Sequence, residues 1–112
     1  MVDCLFCKIA GKELSSEVVY EDEQFLAFKD INPVSPVHVL IIPRKHIETV
    51  EHLEAGDKEL IGELFLTAKK VAKIQGVSES GYRLTFNVGK NAGQAVDHLH
   101  LHLIGGKKLT WK

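Results

Sequence analysis

Three histidines alternate with leucines in His98-Leu99-His100-Leu101-His102-Leu103-Ile104. Histidine serves as nucleophile, acid or base near neutral pH, so this run is the first place to look for chemistry. In a strand, successive side chains point to opposite faces, which puts His98, His100 and His102 on one face and the leucines on the other. A buried leucine face pins the register and so fixes where the imidazoles lie. Same-face neighbours then stand about 6–7 Å apart, close enough for one phosphate or metal ion to meet more than one of them. Leucine at every second position excludes an affinity tag.

Two further groups of residues have types suited to a site. The loop Val88-Gly89-Lys90-Asn91-Ala92-Gly93-Gln94-Ala95 feeds directly into the histidine run. Backbone N–H groups in glycine-containing loops form anion-binding concavities, and glycine lets phosphate approach closely. It is not a Walker-type loop, because Gly93 is followed by Gln94-Ala95 rather than Lys-Ser/Thr. Cys4-Leu5-Phe6-Cys7 offers two thiolates at a spacing suited to one tetrahedral zinc, with two buried reduced thiols as the alternative. No strand precedes the pair, which argues against a thioredoxin-like role, and a disulfide is not expected in a cytosolic chain.

The elements that must position these residues read as one α+β unit. Leu5 to Ile9 is a helical turn ending at Gly11. Glu17–Glu21 and Phe25–Phe28 make a hairpin around Asp22-Glu23, and Pro33 and Pro36 mark a bend. Val37 to Ile42 is a third strand that stops at Pro43. From Asp57 to Gln75 the positions Leu60, Ile61, Leu64, Phe65, Ala68, Val71 and Ala72 follow helical spacing, with Asp57 as N-cap and Gly76 as stop. Tyr82–Asn87 and Asp97–Ile104 complete five strands. The expected fold is a mostly antiparallel five-stranded sheet with the one long helix packed on one face.

At 112 residues the chain reads as a single domain, 1–112. A net charge of −1 gives no global attraction to nucleic acid or anionic membranes. No window approaches the length of a membrane span, and the start Met1-Val2-Asp3-Cys4 lacks a secretory pattern. A cytoplasmic location is the expectation.

The histidine run resembles the signature of the histidine-triad (HIT) superfamily, in which three histidines alternate with apolar residues. Phe25-Leu26-Ala27-Phe28-Lys29-Asp30-Ile31-Asn32-Pro33, His38-Val39-Leu40-Ile41-Ile42-Pro43-Arg44-Lys45-His46 and Ala92-Gly93-Gln94 are similar to further blocks of it, so the resemblance covers nearly the whole chain. Gly105-Gly106, with Trp111 beyond, resembles the Hint-like branch of nucleoside phosphoramidate hydrolases rather than the dinucleoside-polyphosphate hydrolases.

That resemblance implies roles for particular residues. His100 is the implied nucleophile, forming a nucleotidyl-histidine intermediate, and a neutral imidazole is suited to this. His102 is implied to hold phosphate oxygens, with its protonation offsetting transition-state charge. His38 is implied to support the triad through hydrogen bonds. Asn87, the Gly93 amide and the adjoining Gln94 and Ala95 match the phosphate-binding stretch. Asp30 resembles a ribose-binding acid. Phe6, Ile9, Phe28 and Ile31 match an apolar cleft for a purine base, each being also a plausible core residue. In part of the superfamily, cysteines like Cys4 and Cys7 bind a structural zinc together with residues matching His46 and His98. A homodimer is also implied.

Two departures bear on activity. Ala95 stands where relatives often carry serine or threonine, and the chain as given ends one residue after Trp111, where many Hint-like proteins continue. The implied reaction is hydrolysis of purine nucleoside 5′-phosphoramidates of the AMP-amide or AMP-lysine type. The alternatives are a dinucleoside-polyphosphate hydrolase or nucleotidyl transferase, and a nucleotide-binding interaction module with weak activity.

Overall fold

The computed structural model describes residues 4–111, so the reading of Met1-Val2-Asp3 lies outside the described residues. A short helix α1 (Leu5–Ala10) precedes strands β1 (Val18–Glu21), β2 (Phe25–Lys29) and β3 (Val37–Pro43), followed by the long helix α2 (Lys58–Ile74) and strands β4 (Tyr82–Thr85) and β5 (Leu101–Gly105). The strands form the one five-stranded antiparallel sheet that the sequence pattern predicts, and its order is β1-β2-β3-β5-β4.

Alternation along the strands divides the sheet into two faces. Phe25, Ala27, Val39, Ile41, Leu101 and Leu103 point to one face, where Leu64, Ala68, Val71 and Ala72 of α2 cover them. Leu26, Phe28, Leu40 and Ile42 point to the other face, where Phe6 and Ile9 of α1 pack. Each large aliphatic side chain fully buried this way contributes about 1.5–3 kcal/mol relative to exposure. Helix α2 ends as expected before Gly76, which has φ +75°. The Val77 N–H bonds to Ala72 O and the Gly76 N–H to Lys73 O, a Schellman termination that only glycine enters without strain.

The structure corrects two strand boundaries and one helix cap. The last strand begins at Leu101 rather than Asp97, so His98 and His100 lie in an irregular segment and only His102 is in a strand. Hydrogen bonds from Asp30 N to His38 O and from Arg44 N to Gln24 O show that even-numbered backbone groups of β3 face β2. Odd-numbered ones therefore face β5, and Pro43 has no N–H with which to extend that ladder. Strand β4 likewise ends at Thr85, leaving Asn87 in the following loop. Asp57 occupies the N-cap position of α2 but makes no side-chain cap bond to it. Its carboxylate instead accepts from Glu54 N at 2.9 Å and Lys45 Nζ at 2.8 Å, closing the 3₁₀ turn before the helix.

Candidate active site and metal centre

The three histidines serve two different places. His98 is fully buried, and its Nε2 lies 2.7 Å from the Pro43 carbonyl. A carbonyl only accepts, so Nε2 carries the proton and the Nδ1 lone pair faces the opposite way. There it meets Cys4 Sγ at 3.4 Å, Cys7 Sγ at 3.5 Å and His46 Nδ1 at 3.2 Å, while Cys7 Sγ and His46 Nδ1 are 3.3 Å apart. These four residues form a set that could hold a metal ion.

The donor chemistry fits zinc. Bonds of about 2.0 Å to nitrogen and about 2.3 Å to sulfur give tetrahedral edges of roughly 3.3–3.8 Å, close to the separations found. Burial, reinforced by Cys4, pushes the Cys7 thiol up to about 11, so without a cation it stays protonated. Burial also holds His98 below its ordinary value, keeping it neutral and available as a ligand.

His100 sits beside this centre and is also buried. Its Nδ1 lies 2.7 Å from the His98 carbonyl, which fixes the proton on Nδ1 and leaves the Nε2 lone pair free. Burial keeps this ring neutral below the usual histidine range. Phe6 packs on it edge-on, with centroids 5.0 Å apart and planes at 89°.

His102 is oriented by a different relay. The Val34 N–H donates to His38 Nδ1 at 3.2 Å, so neutral His38 carries its proton on Nε2. That nitrogen lies 3.0 Å from His102 Nδ1 and 3.4 Å from Asp30 Oδ2. His102 Nδ1 therefore accepts, and its own proton sits on Nε2, a buried atom with no hydrogen-bond partner among the described residues. Burial and the neighbouring His100 and His38 push His102 down to about 4. In the free protein His102 is thus a neutral ring whose Nε2–H is a donor. Asp30, His38 and His102 also form a set with metal-ligand atoms, but the Val34 bond commits His38 Nε2 to carrying a proton.

A cavity of about 400 Å³ opens in front of His100 and His102. Phe6, Ile9 and Phe28 form its apolar wall, with Asp30 and Ile31 at the rim and Ala95 beside the histidines. Ile31 is 90% exposed, so it borders the opening rather than packing in the core. His38, Asn87 and His102 line an adjoining cleft together with Arg83, Thr85 and Trp111. His102 is thus shared by both openings.

The phosphate loop departs from expectation. The Gly93 N–H is spent on Lys90 O at 3.0 Å and the Gln94 N–H on Gly89 O at 3.1 Å. Gln94 also uses its side chain to brace the loop, accepting from Gly89 N and donating to Glu48 O and Val96 O. These amides do not converge on the imidazoles, because the segment Lys90–Ala92 closes into a 3₁₀ turn that consumes them. Leu40, Lys29 and Ser16 line the main cavity without having been singled out from the sequence. Alternation with His38 along β3 would have placed Leu40 there, whereas Ser16 carries no such signal.

The HIT domain family matches residues 11–109. Protein HitA of Neisseria gonorrhoeae is 42% identical over 105 residues, 94% of this chain and 97% of that protein. The crystal structure of a HIT family hydrolase from Legionella pneumophila Philadelphia 1 superimposes with a TM-score of 0.95 at 52% identity, covering 97% of each chain. A histidine triad nucleotide-binding protein from Candida albicans gives 0.83 at 30% identity, covering 98% of this chain and 83% of that one.

Proposed function

Since the chain belongs to the HIT domain family, we propose that it is a nucleotide-binding hydrolase that cleaves purine nucleoside 5′-phosphoramidates through His100. The observation carrying this reading is the pair of hydrogen bonds that select the two tautomers. His98 O and His38 Nε2 leave His100 with a free Nε2 lone pair and His102 with an unpartnered Nε2–H, on two residues that line one cavity. A nucleophile beside an unused donor is an arrangement for attack at phosphorus with stabilisation of a phosphate oxygen.

In the first step His100 Nε2 bonds to the α-phosphorus, and the P–N bond pair leaves with the amine, which takes a proton from solvent as it departs. The positive charge arising on His100 is shared through Nδ1–H with the His98 carbonyl. His102 Nε2–H donates to a phosphate oxygen. Water then attacks phosphorus and gives up a proton to solvent, the N–P bond pair returns to His100, and a nucleoside monophosphate is released. The apolar wall of Phe6, Ile9 and Phe28 takes the base, and the Asp30 carboxylate accepts from the ribose hydroxyls. Ala95 and Asn87 border the phosphate from the two openings.

Zinc is the metal that Cys4, Cys7, His46 and His98 would hold, with no open position for catalysis. Bound there, it would anchor the fold around these residues. Among the described residues no helix is long and apolar enough to cross a membrane. A homodimer working in the cytoplasm, as one domain without nucleic-acid partners, completes the proposal.

The test is a substrate panel: a fluorogenic adenosine phosphoramidate against a dinucleoside polyphosphate. Faster turnover of the phosphoramidate supports this reading, preference for the polyphosphate assigns the other hydrolase branch, and AMP binding without turnover of either leaves a binding module.

A further inference from the structure

We infer that the Cys4–Cys7–His46–His98 centre is a positioning device for His100, setting the orientation and tautomer of the nucleophile as well as stabilising the fold. The inference rests on reading His100 as the nucleophile and deepens that reading.

Two separate paths join the centre to His100. The first runs through one residue. His98 presents Nδ1 to the centre and donates its Nε2–H to Pro43 O, while its own backbone carbonyl accepts the His100 Nδ1–H at 2.7 Å. Because β5 begins only at Leu101, no sheet ladder holds that carbonyl in place. The Leu99 N–H, which shares a peptide plane with that carbonyl, donates to Ile47 O at 2.6 Å. The His98 side chain and this bond to the residue after His46 are therefore the two restraints on the group that selects the His100 tautomer, and both lead back to the centre. If that carbonyl turned away, the proton of His100 would be free to move to Nε2, and the attacking lone pair would be lost.

The second path runs through α1. Cys4 is the N-cap of this helix, its Sγ accepting the Cys7 N–H at 3.4 Å, and Cys7 belongs to the helix's first turn. A helix of six residues does not persist by itself and depends on its anchors. The ring it carries, Phe6, stands against His100 at 5.0 Å, His98 at 6.2 Å and Phe28 at 5.4 Å. Holding both cysteines therefore holds the wall of the base cavity and one flank of the nucleophile. A merely structural metal would leave these relationships unchanged in apo protein that remains folded.

The experiment compares zinc-loaded and chelator-treated wild type with Cys7→Ser and Cys7→His, the last of which retains four donors. The readouts are the ¹⁵N signals of the His100 ring and the affinity for AMP, both independent of turnover, measured where circular dichroism shows native structure. The expected result is a single Nδ1–H tautomer in loaded wild type. Tautomer mixing and AMP binding weaker by about 10–100-fold, the usual scale for loss of an orienting partner, are expected after zinc removal and in Cys7→Ser. Added zinc should restore both readouts in Cys7→His. Unchanged tautomer and affinity in folded, metal-free protein would overturn the inference. Should chelated wild type and Cys7→Ser unfold, His46→Gln titrated with zinc gives the comparison, since His46 touches neither His100 nor the cavity. Its His100 signals must then follow zinc occupancy at constant ellipticity, and signals independent of occupancy would also overturn the inference. Loaded wild type that turns over no substrate contradicts the hydrolase reading alone, because the tautomer and AMP readouts remain measurable.

Discussion

His38 Nε2 stands 3.0 Å from His102 Nδ1, and the direction of that bond is set by the Val34 N–H on the far side of the His38 ring. His38 is thus a positioning residue: it makes His102 a donor at the cavity rather than an acceptor. Replacing it by leucine removes the constraint without adding charge. His38→Leu should lower kcat by about 10–100-fold with a small change in KM, the scale for losing an orienting partner. His38→Gln, whose amide can still donate to His102, should recover part of the rate. Equal rates for both variants and wild type would show that the His102 tautomer is not set this way.

Asp30 has one carboxylate oxygen occupied by the Asn32 N–H at 2.8 Å, and the other lies 3.4 Å from His38 Nε2 at the rim of the cavity. A ribose would find that second oxygen available. Losing a hydrogen bond to a charged acceptor costs about 1.5–3 kcal/mol, so Asp30→Ala should weaken binding of a ribonucleotide by roughly 10–100-fold. The same substitution should scarcely affect a 2′,3′-dideoxynucleotide. A uniform loss for both ligands, measured by calorimetry, would remove Asp30 from ribose recognition.

Acid sensitivity follows from His102. Folding holds it at about 4, chiefly by burial, whereas in the unfolded chain it titrates near 6.5. Between these values the unfolded chain takes a proton that the folded protein refuses. Stability present above pH 6.5 is therefore lost as pH falls towards 4. His98 and His100, also lowered by burial, add to the same slope. Urea unfolding at pH 7, 5.5 and 4.5 should show this decline, and His102→Gln should make it shallower. An identical slope in the variant would mean that His102 is not protected from protonation.

The sequence made some of this legible for a physical reason. Leu99, Leu101 and Leu103 are all buried, so the run had to present its histidines on a constrained face. Phe28 and Leu40 pair across β2 and β3 and therefore share the cavity face, which period-two alternation predicts. Close packing and a positive φ explain why glycine stands at both Gly105 and Gly106. A Cβ on Gly105 would lie 3.2 Å from Val77 Cγ1, while Gly106 has φ +88° and would place a Cβ 3.0 Å from Pro36 Cβ.

What stayed hidden depends on contacts distant in sequence. The division of labour between His98 and His100 is set by Pro43 O and by where β5 begins, neither of which spacing reveals. The fate of the Gly93 amide is local, yet the residue types in that loop suit an open anion cradle as well as the 3₁₀ turn it forms. The unpartnered Nε2 of His102 follows from a relay through Val34 and His38 that only folding assembles.

The central claim is that His100 attacks phosphorus, and trapping the intermediate tests it most directly. Wild type and His100→Ala, each shown to be folded and to bind AMP, are mixed with an adenosine phosphoramidate, quenched rapidly and analysed by peptide mass spectrometry. An adenylyl group is expected on the wild-type peptide bearing His100, with neither adduct nor appreciable turnover in the variant. Retained turnover by His100→Ala, or an adduct on His102 or His98 instead, would contradict it.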